Sequence, residues 1–89
     1  MKESTIERAV VRHCKDHGYL TYKFVSPAHR GVPDRIIIGP RGQVVFVEIK
    51  APGKRPSKLQ AAELWRLKQR GVLAVWGDDA KSVTGILDS

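Results

Sequence analysis

Asp34, Glu48 and Lys50 are ionisable residues at positions where packing alone would favour apolar side chains. Glu48 and Lys50 close the apolar run 44–47, and their spacing of two places both side chains on one face of a predicted strand. Asp34 precedes the β-branched run 36–38. A hairpin between these two runs would bring both carboxylates to one end of the sheet, so we expect the three residues to converge.

Two carboxylates that lie close together repel each other, and a divalent cation removes this repulsion. Carboxylate and carbonyl oxygens are the ligands that suit Mg²⁺ or Mn²⁺. Such an ion lowers the pKa of its water and neutralises charge on a phosphate, while a lysine orients the water or stabilises developing charge. These are the requirements of phosphodiester hydrolysis. A simple ion pair between Lys50 and one carboxylate is the alternative.

The composition favours a polyanionic partner. The formal net charge is +7 over 89 residues, which indicates nucleic acid as the first candidate partner and an anionic membrane surface as the second. The alternative is a basic surface that binds no partner.

A single cysteine, Cys14, excludes an intramolecular disulfide and a zinc site of several thiolates, and we expect it to be buried on a helix. Because residues 1–5 contain no apolar signal and no apolar run approaches membrane-spanning length, we expect a cytoplasmic protein without a membrane partner.

Hydrophobic periodicity predicts the elements that must position these residues. Helices are predicted over Ser4 to His17, Ser57 to about Arg70, and Ala80 to Leu87, and strands over Tyr19 to Val25, Asp34 to Gly39, Gln43 to Lys50, and Val72 to Trp76. The first strand should bury Leu20, Tyr22 and Phe24, and the third should be buried on both faces. The order α-β-β-β-α-β-α predicts one α/β (α+β) domain over residues 1–89, with a small mixed sheet flanked by helices.

Pro33-Asp34, followed after thirteen residues by Glu48-Ile49-Lys50, resembles the signature of the PD-(D/E)XK nuclease superfamily. The element order is similar to the restriction-endonuclease-like core of that superfamily. More narrowly, the chain resembles a stand-alone VRR-NUC domain over roughly Ser4 to Trp76. The matching features are Glu7 in the first helix, the segments 31–34 and 48–51, and Gln60 early in the second helix.

The resemblance implies roles for individual residues. Asp34, Glu48 and the main-chain carbonyl of Ile49 would ligate Mg²⁺ or Mn²⁺, and Glu7 would assist directly or through water. Lys50 would be the catalytic lysine, and Gln60 would support the site. Two of these roles have a structural alternative, because Glu7 follows Ser4, and Gln60 follows Ser57, at the spacing of a helix capping box.

The resemblance also implies metal-dependent DNA cleavage without a small-molecule cofactor, in a bacterial or phage-encoded protein. Stand-alone members are similar to Holliday junction resolvases that act as homodimers. Two further hypotheses remain: a nuclease acting on flaps, ends or duplex within a larger assembly, and a non-catalytic DNA-binding module. The intact Asp34, Glu48 and Lys50 argue against the last, because a pure binder gains nothing from carboxylates near phosphates.

Basic residues near the predicted site indicate where DNA would bind. Lys54, Arg55 and Lys58 follow the catalytic strand directly, and Arg30 lies in the loop before Asp34. A solvated basic loop is the alternative. Arg8 and Arg12 would share a helix face that is either part of a basic surface or merely solvated. Trp65 and Trp76 could stack on bases, although we expect Trp76 in the core and Trp65 at a subunit contact.

Overall fold

The computed structural model describes residues 1–88 as a four-stranded sheet packed between helices. The elements in chain order are α1 (Glu3–Asp16), β1 (Leu20–Lys23), β2 (Arg35–Ile38), β3 (Val44–Ile49), α2 (Lys58–Gln69), β4 (Leu73–Gly77) and α3 (Ala80–Asp88). The predicted fold class and element order are confirmed, with element ends shifted by a few residues. Within these 88 residues, no helix has the length and apolar composition needed to cross a bilayer.

The strands lie side by side in the order β1-β2-β3-β4. β2 pairs antiparallel with both β1 and β3, so the predicted hairpin across residues 40–42 is confirmed. Gly42 has φ +84° and donates its N–H to the carbonyl of Gly39 at 3.0 Å, which closes the turn. β4 pairs parallel with β3, and α2 forms the crossover that a parallel pair requires.

α1 and α3 cover one face of the sheet and form the core with it. α1 contributes a stripe spaced every four residues, Ile6, Val10 and Cys14, each at most 1% exposed. This stripe packs with Val83 of α3 against the sheet residues Ile37, Val45, Val47 and Ile49. The prediction of a buried Cys14 is confirmed, and burial raises the pKa of its thiol.

The opposite face of the sheet is covered only in part. α2 packs against β4 through its buried Leu64, whereas Leu20 and Tyr22 of β1 remain 57% and 55% exposed. The prediction that the first strand buries these two side chains is therefore wrong. Their alternation places them on one face as expected, but α2 does not reach that half of the sheet. Phe24 is half-buried and meets Phe46 edge to face, with ring centroids 5.3 Å apart.

Helix capping differs between the first two helices. α1 begins at Glu3 with Lys2 as its N-cap and without a side-chain cap, so the Ser4–Glu7 capping box, the structural alternative for Glu7, is not formed. Ser4 already lies inside the first turn. In α2 the Ser57–Gln60 box is formed: the Gln60 N–H donates to Ser57 Oγ at 3.2 Å, and the Ser57 N–H donates to Gln60 Oε1 at 2.9 Å.

Candidate active site

Asp34 lies at the entry to β2, and its side chain is fixed by the end of β3. Its Oδ2 accepts a hydrogen bond from the backbone N–H of Ile49 at 2.9 Å, and its carbonyl accepts from the N–H of Phe24 at 2.8 Å. These bonds join β1, β2 and β3 at one end of the sheet. The Asp34 carboxylate is thereby held beside Glu48.

Glu48 and Lys50 extend from the same side of β3, as their spacing predicts. The ammonium of Lys50 lies 3.4 Å from Glu48 Oε2. Glu48 is 2% exposed, and the Lys50 side chain is 17% exposed. The structure therefore brings Asp34, Glu48 and Lys50 together at the C-terminal end of β3.

Glu48 is a buried carboxylate that lies beside a second carboxylate, Asp34. Burial first, and the negative charge of Asp34 second, raise the pKa of Glu48 to about 7 against the opposing influence of Lys50. Among residues 1–88, no group donates a hydrogen bond to the buried Oε1 of Glu48. A buried carboxylate oxygen without a hydrogen-bond donor destabilises the fold unless the oxygen coordinates a cation. Asp34 and Glu48 thus fit a divalent cation bound by hard oxygen ligands.

The carboxylate of Glu7 contacts two basic side chains, Arg35 and Lys23. Its Oε2 accepts a hydrogen bond from Nε of Arg35 at 2.9 Å and lies 3.9 Å from the ammonium of Lys23. Arg35 also donates to Oγ1 of Thr21 at 3.1 Å. Glu7 and Asp34 nevertheless line one pocket of about 210 Å³. Within the described chain, no three residues of the types His, Cys, Asp and Glu form a ready metal cluster.

Arg35 contacts the predicted site residue Glu7, and the sequence analysis did not single it out. It follows Asp34 directly and has the parity of the buried Ile37, so its charge points to the α1 face. A charged residue with core parity at a strand end was the available signal. Its partner on α1, Glu7, could not be inferred, because the two residues are 28 positions apart in the sequence.

The two remaining predicted site groups are the main chain of Ile49 and the side chain of Gln60. The N–H of Ile49 holds Asp34, and Ile49 lies opposite Gly77 in the parallel pair, so its carbonyl belongs to the end of β3. Gln60 is the third residue of α2, and its side-chain amide completes the capping box with Ser57. The structural alternative for Gln60 is thus formed.

The loop before Asp34 is fastened to α2. Nε2 of His29 lies 2.6 Å from Oε1 of Glu63, forming a contact between the loop and the helix. Gly31 has φ +86°, and a Cβ at this position would lie 2.8 Å from the carbonyl oxygen of Leu59. Only glycine fits this close approach of two backbones. The packing sets the path of the chain into Asp34.

Four exposed basic residues lie on or beside the loops at one end of the sheet. Lys54, Arg55 and Lys58 lie on or beside the loop that joins β3 to α2, and Arg30 is exposed on the loop before β2. The first loop is tied to the end of β4, because Oδ2 of Asp78 accepts from the N–H of Gly53 at 3.1 Å. These four basic residues therefore stand at the same end of the sheet as Glu48.

A second basic surface runs along α1. A groove of about 640 Å³ is lined by Arg8, Arg12 and Lys15 of the helix together with Lys23 and Arg35 of the sheet. Glu7 also lines this groove, and it lines the pocket beside Asp34 as well. Arg8 and Arg12 thus line a groove that shares Glu7 and Lys23 with the pocket beside Asp34.

Comparisons with known proteins indicate the family of the chain. No protein-family model matches the chain. The chain is 41% identical over 85 residues to a protein named "Putative nuclease p44" from Acyrthosiphon pisum secondary endosymbiont phage 1, and the match covers 93% of this chain and 91% of that protein.

Two solved structures share the fold. One, titled "VRR_NUC domain", superposes with a TM-score of 0.89 at 27% identity and covers 99% of this chain and 96% of that one. The other, titled "VRR_NUC domain protein", gives a TM-score of 0.79 at 19% identity over 99% of this chain and 86% of that one. With the arrangement of Asp34, Glu48 and Lys50, these likenesses show that the chain belongs to the VRR-NUC family of PD-(D/E)XK nucleases.

Proposed function

We propose that this protein is a metal-dependent, structure-selective DNA endonuclease that hydrolyses phosphodiester bonds at Asp34, Glu48 and Lys50. The observation that carries the proposal is the buried Oε1 of Glu48, which lacks a hydrogen-bond donor among residues 1–88 while Asp34 lies beside it. An arrangement that raises the pKa of a carboxyl to about 7 costs stability in the metal-free protein. A site that binds a cation during catalysis accounts for this cost.

Asp34 and Glu48 would hold Mg²⁺ or Mn²⁺, with the carbonyl of Ile49 as a further oxygen ligand. Glu7 would contribute through water, because Arg35 holds its carboxylate while Glu7 lines a pocket together with Asp34. When bound, such an ion supplies an acidified water molecule and neutralises charge on the phosphate. No small-molecule cofactor is needed for this chemistry.

The chain's own residues then act in distinct ways. Asp34 is oriented in advance by the N–H of Ile49, so its geometry does not depend on the substrate. Lys50 lies within 3.4 Å of Glu48 and would orient the attacking water or stabilise charge that develops on the phosphate. Gln60 would support the site from the first turn of α2 while it caps that helix.

DNA would be held mainly through its phosphates. Lys54, Arg55 and Lys58 stand beside the N-terminus of α2, whose dipole favours an anion, and Arg30 lies on the neighbouring loop. The net charge of +7 adds attraction at long range. Because these side chains would contact the phosphates and not the bases, they would discriminate DNA by its shape and not by its base sequence.

A homodimer is the proposed assembly. The half of the sheet that α2 leaves uncovered presents Leu20, Tyr22 and Val44, which are 57%, 55% and 40% exposed. A second copy of this chain would remove these three uncharged side chains from water. Two active sites related by a twofold axis suit the paired cuts that a four-way junction requires. The proposed location is the cytoplasm of a bacterial host.

Cleavage of labelled DNA tests the proposal. A four-way junction, a flap and a linear duplex are compared in Mg²⁺, in Mn²⁺ and in EDTA. Metal-dependent paired nicks on the junction alone are expected. Cleavage of flaps or ends instead would favour a nuclease of another specificity, and binding without any cleavage would favour a non-catalytic DNA-binding module.

A further inference from the structure

Both tryptophans of the chain line one cleft beside α2. Trp65 on α2 is 61% exposed, and Trp76 in β4 is 37% exposed. The cleft has a volume of about 390 Å³ and is also lined by the buried Leu64 and by two cations, Arg55 and Lys68. The expectation that Trp76 belongs to the core is therefore wrong, because α2 covers its indole only in part.

The cleft adjoins the candidate active site. β3 and β4 are parallel neighbours, and Trp76 is paired in register with Glu48. Paired residues on adjacent strands point to the same face, with their backbones about 4.8 Å apart. Trp76 and Glu48 therefore leave neighbouring positions of the sheet on the same face, the one that α2 covers in part.

The composition of the cleft indicates its ligand. Large aromatic side chains usually bury most of their surface, so two half-exposed indoles in one concavity mark a contact site. Arg55 and Lys68 favour an anion, and they oppose the docking of a second copy of a chain with net charge +7. An unpaired nucleotide offers both a flat apolar base and a phosphate. The volume of the cleft is also within the range of about 300–1,000 Å³ that is typical of ligand sites.

We propose that this cleft binds an unstacked base of the DNA strand that is cut, next to the scissile phosphate. Trp65 and Trp76 provide the stacking surfaces, while Arg55 and Lys68 contact the flanking phosphates. The inference rests on the proposed nuclease function and defines its substrate: the enzyme acts where a nucleotide is already unpaired or readily unpaired. Branch points of DNA supply such nucleotides, whereas the interior of a duplex does not.

Intrinsic fluorescence tests the cleft directly, because it holds both tryptophans of the chain. The full chain is titrated in EDTA with a short oligothymidine and with an abasic oligonucleotide of the same length and charge. We expect saturable quenching and tighter binding with oligothymidine. Equal affinity for both strands without quenching would overturn the proposal. A spectral shift that follows protein concentration in the absence of DNA would assign the cleft to a second copy instead.

Two variants at the more exposed position separate stacking from folding. Trp65→Leu should weaken oligothymidine binding by roughly 10-fold, equivalent to about 1.4 kcal/mol, and leave abasic binding unchanged. Trp65→Phe keeps an aromatic face and should lose much less. If Leu and Phe have the same effect on both strands, the indole contributes no base contact. Circular dichroism verifies that both variants are folded.

Asp34→Ala, measured in the same titration, distinguishes the two proposals. It should bind and quench as the unaltered chain does, because Asp34 is absent from the lining of the cleft. Cleavage without base-dependent quenching would reject the cleft proposal alone. Base-dependent quenching by the unaltered chain, together with no cleavage of any DNA by that chain in Mg²⁺ or Mn²⁺, would reject the nuclease proposal alone.

Discussion

The carboxylate of Asp34 accepts a hydrogen bond from the backbone N–H of Ile49, with 2.9 Å between Oδ2 and the nitrogen. The bond joins the entry of β2 to the end of β3, and it holds one acidic side chain beside another, Glu48. This arrangement is costly in the absence of a cation, since burial and the negative charge of Asp34 raise the pKa of Glu48. The fold therefore carries unfavourable electrostatic energy where chemistry is proposed.

Two substitutions of Asp34 should differ in stability. Asp34→Asn keeps an oxygen that accepts from Ile49 and removes the repulsion on Glu48, so in EDTA it should be at least as stable as the unaltered chain. Asp34→Ala leaves the N–H of Ile49 without its partner and should be less stable than Asp34→Asn by about 1–3 kcal/mol. Urea unfolding measures both values. Equal stability of the two variants would mean that this hydrogen bond does not hold the strand ends.

Glu48→Gln should stabilise the metal-free protein at neutral pH. Because the pKa of Glu48 is about 7 in the fold and 4.5 ordinarily, the stability from its bound proton is complete below pH 4.5 and lost as the pH rises through 7. Gln cannot ionise, so the gain over wild type should grow to the order of 1–3 kcal/mol near pH 7 and vanish below pH 4.5. Urea unfolding in EDTA across this range provides the measurement.

Saturating Mg²⁺ supplies the control for that prediction. The ion should stabilise the unaltered protein by binding its folded form, and Glu48→Gln should gain less. A variant that is less stable than wild type at neutral pH in EDTA would show that Glu48 is a favourable structural carboxylate.

Gly31→Ala should disturb both stability and cleavage. The added Cβ would lie 2.8 Å from the carbonyl oxygen of Leu59 at a residue with φ +86°. Gly42→Ala is the matched control, because Gly42 has φ +84° but a Cβ added there would meet no atom within 4 Å. Thermal unfolding should show a loss of about 1–2 kcal/mol for Gly42→Ala and about 2–4 kcal/mol for Gly31→Ala.

Only Gly31→Ala should also slow cleavage, since its loop leads into Asp34. Equal losses in the two variants would indicate that the loop moves away from α2 without strain.

Tyr22→Glu should convert the proposed dimer into a monomer. The charge would fall in the centre of the uncovered apolar face, where burial against a second copy would be prohibitive. Leu59→Glu changes the charge equally at a residue of similar exposure, 57%, on α2. Light scattering should detect monomers for Tyr22→Glu and dimers for Leu59→Glu and the unaltered chain. A monomeric, fully active unaltered chain would reject the twofold arrangement.

The sequence predicted those features that depend on local chemistry. The Ser57–Gln60 box formed because a helix N-terminus can be satisfied by two nearby side chains. Asp34, Glu48 and Lys50 converged because a short turn fixes the register of β2 against β3 and residues two apart share a face. Neither result required knowledge of distant contacts.

The wrong predictions concern features that depend on contacts between elements distant in the sequence. The spacing of Ser4 and Glu7 allowed a cap that did not form, because α1 starts one residue earlier than predicted and Arg35 attracts the Glu7 carboxylate from β2. The alternation of Leu20 and Tyr22 predicted their common face correctly and could not reveal that α2 stops short of it. The burial of Trp76 was overestimated for the same reason: periodicity gives the face of a strand, whereas coverage depends on tertiary packing.

Single-turnover cleavage with Asp34→Asn and Lys50→Ala tests the central claim most directly. In Mg²⁺, on whichever DNA the unaltered chain cuts, both variants should be slower by at least about 100-fold, while their DNA affinity in EDTA stays within a few-fold. Arg41→Ala, in the turn at the opposite end of the β2–β3 hairpin, should cleave at the normal rate. Cleavage by Asp34→Asn at the rate of the unaltered chain would contradict the assignment of Asp34, Glu48 and Lys50 as the active site.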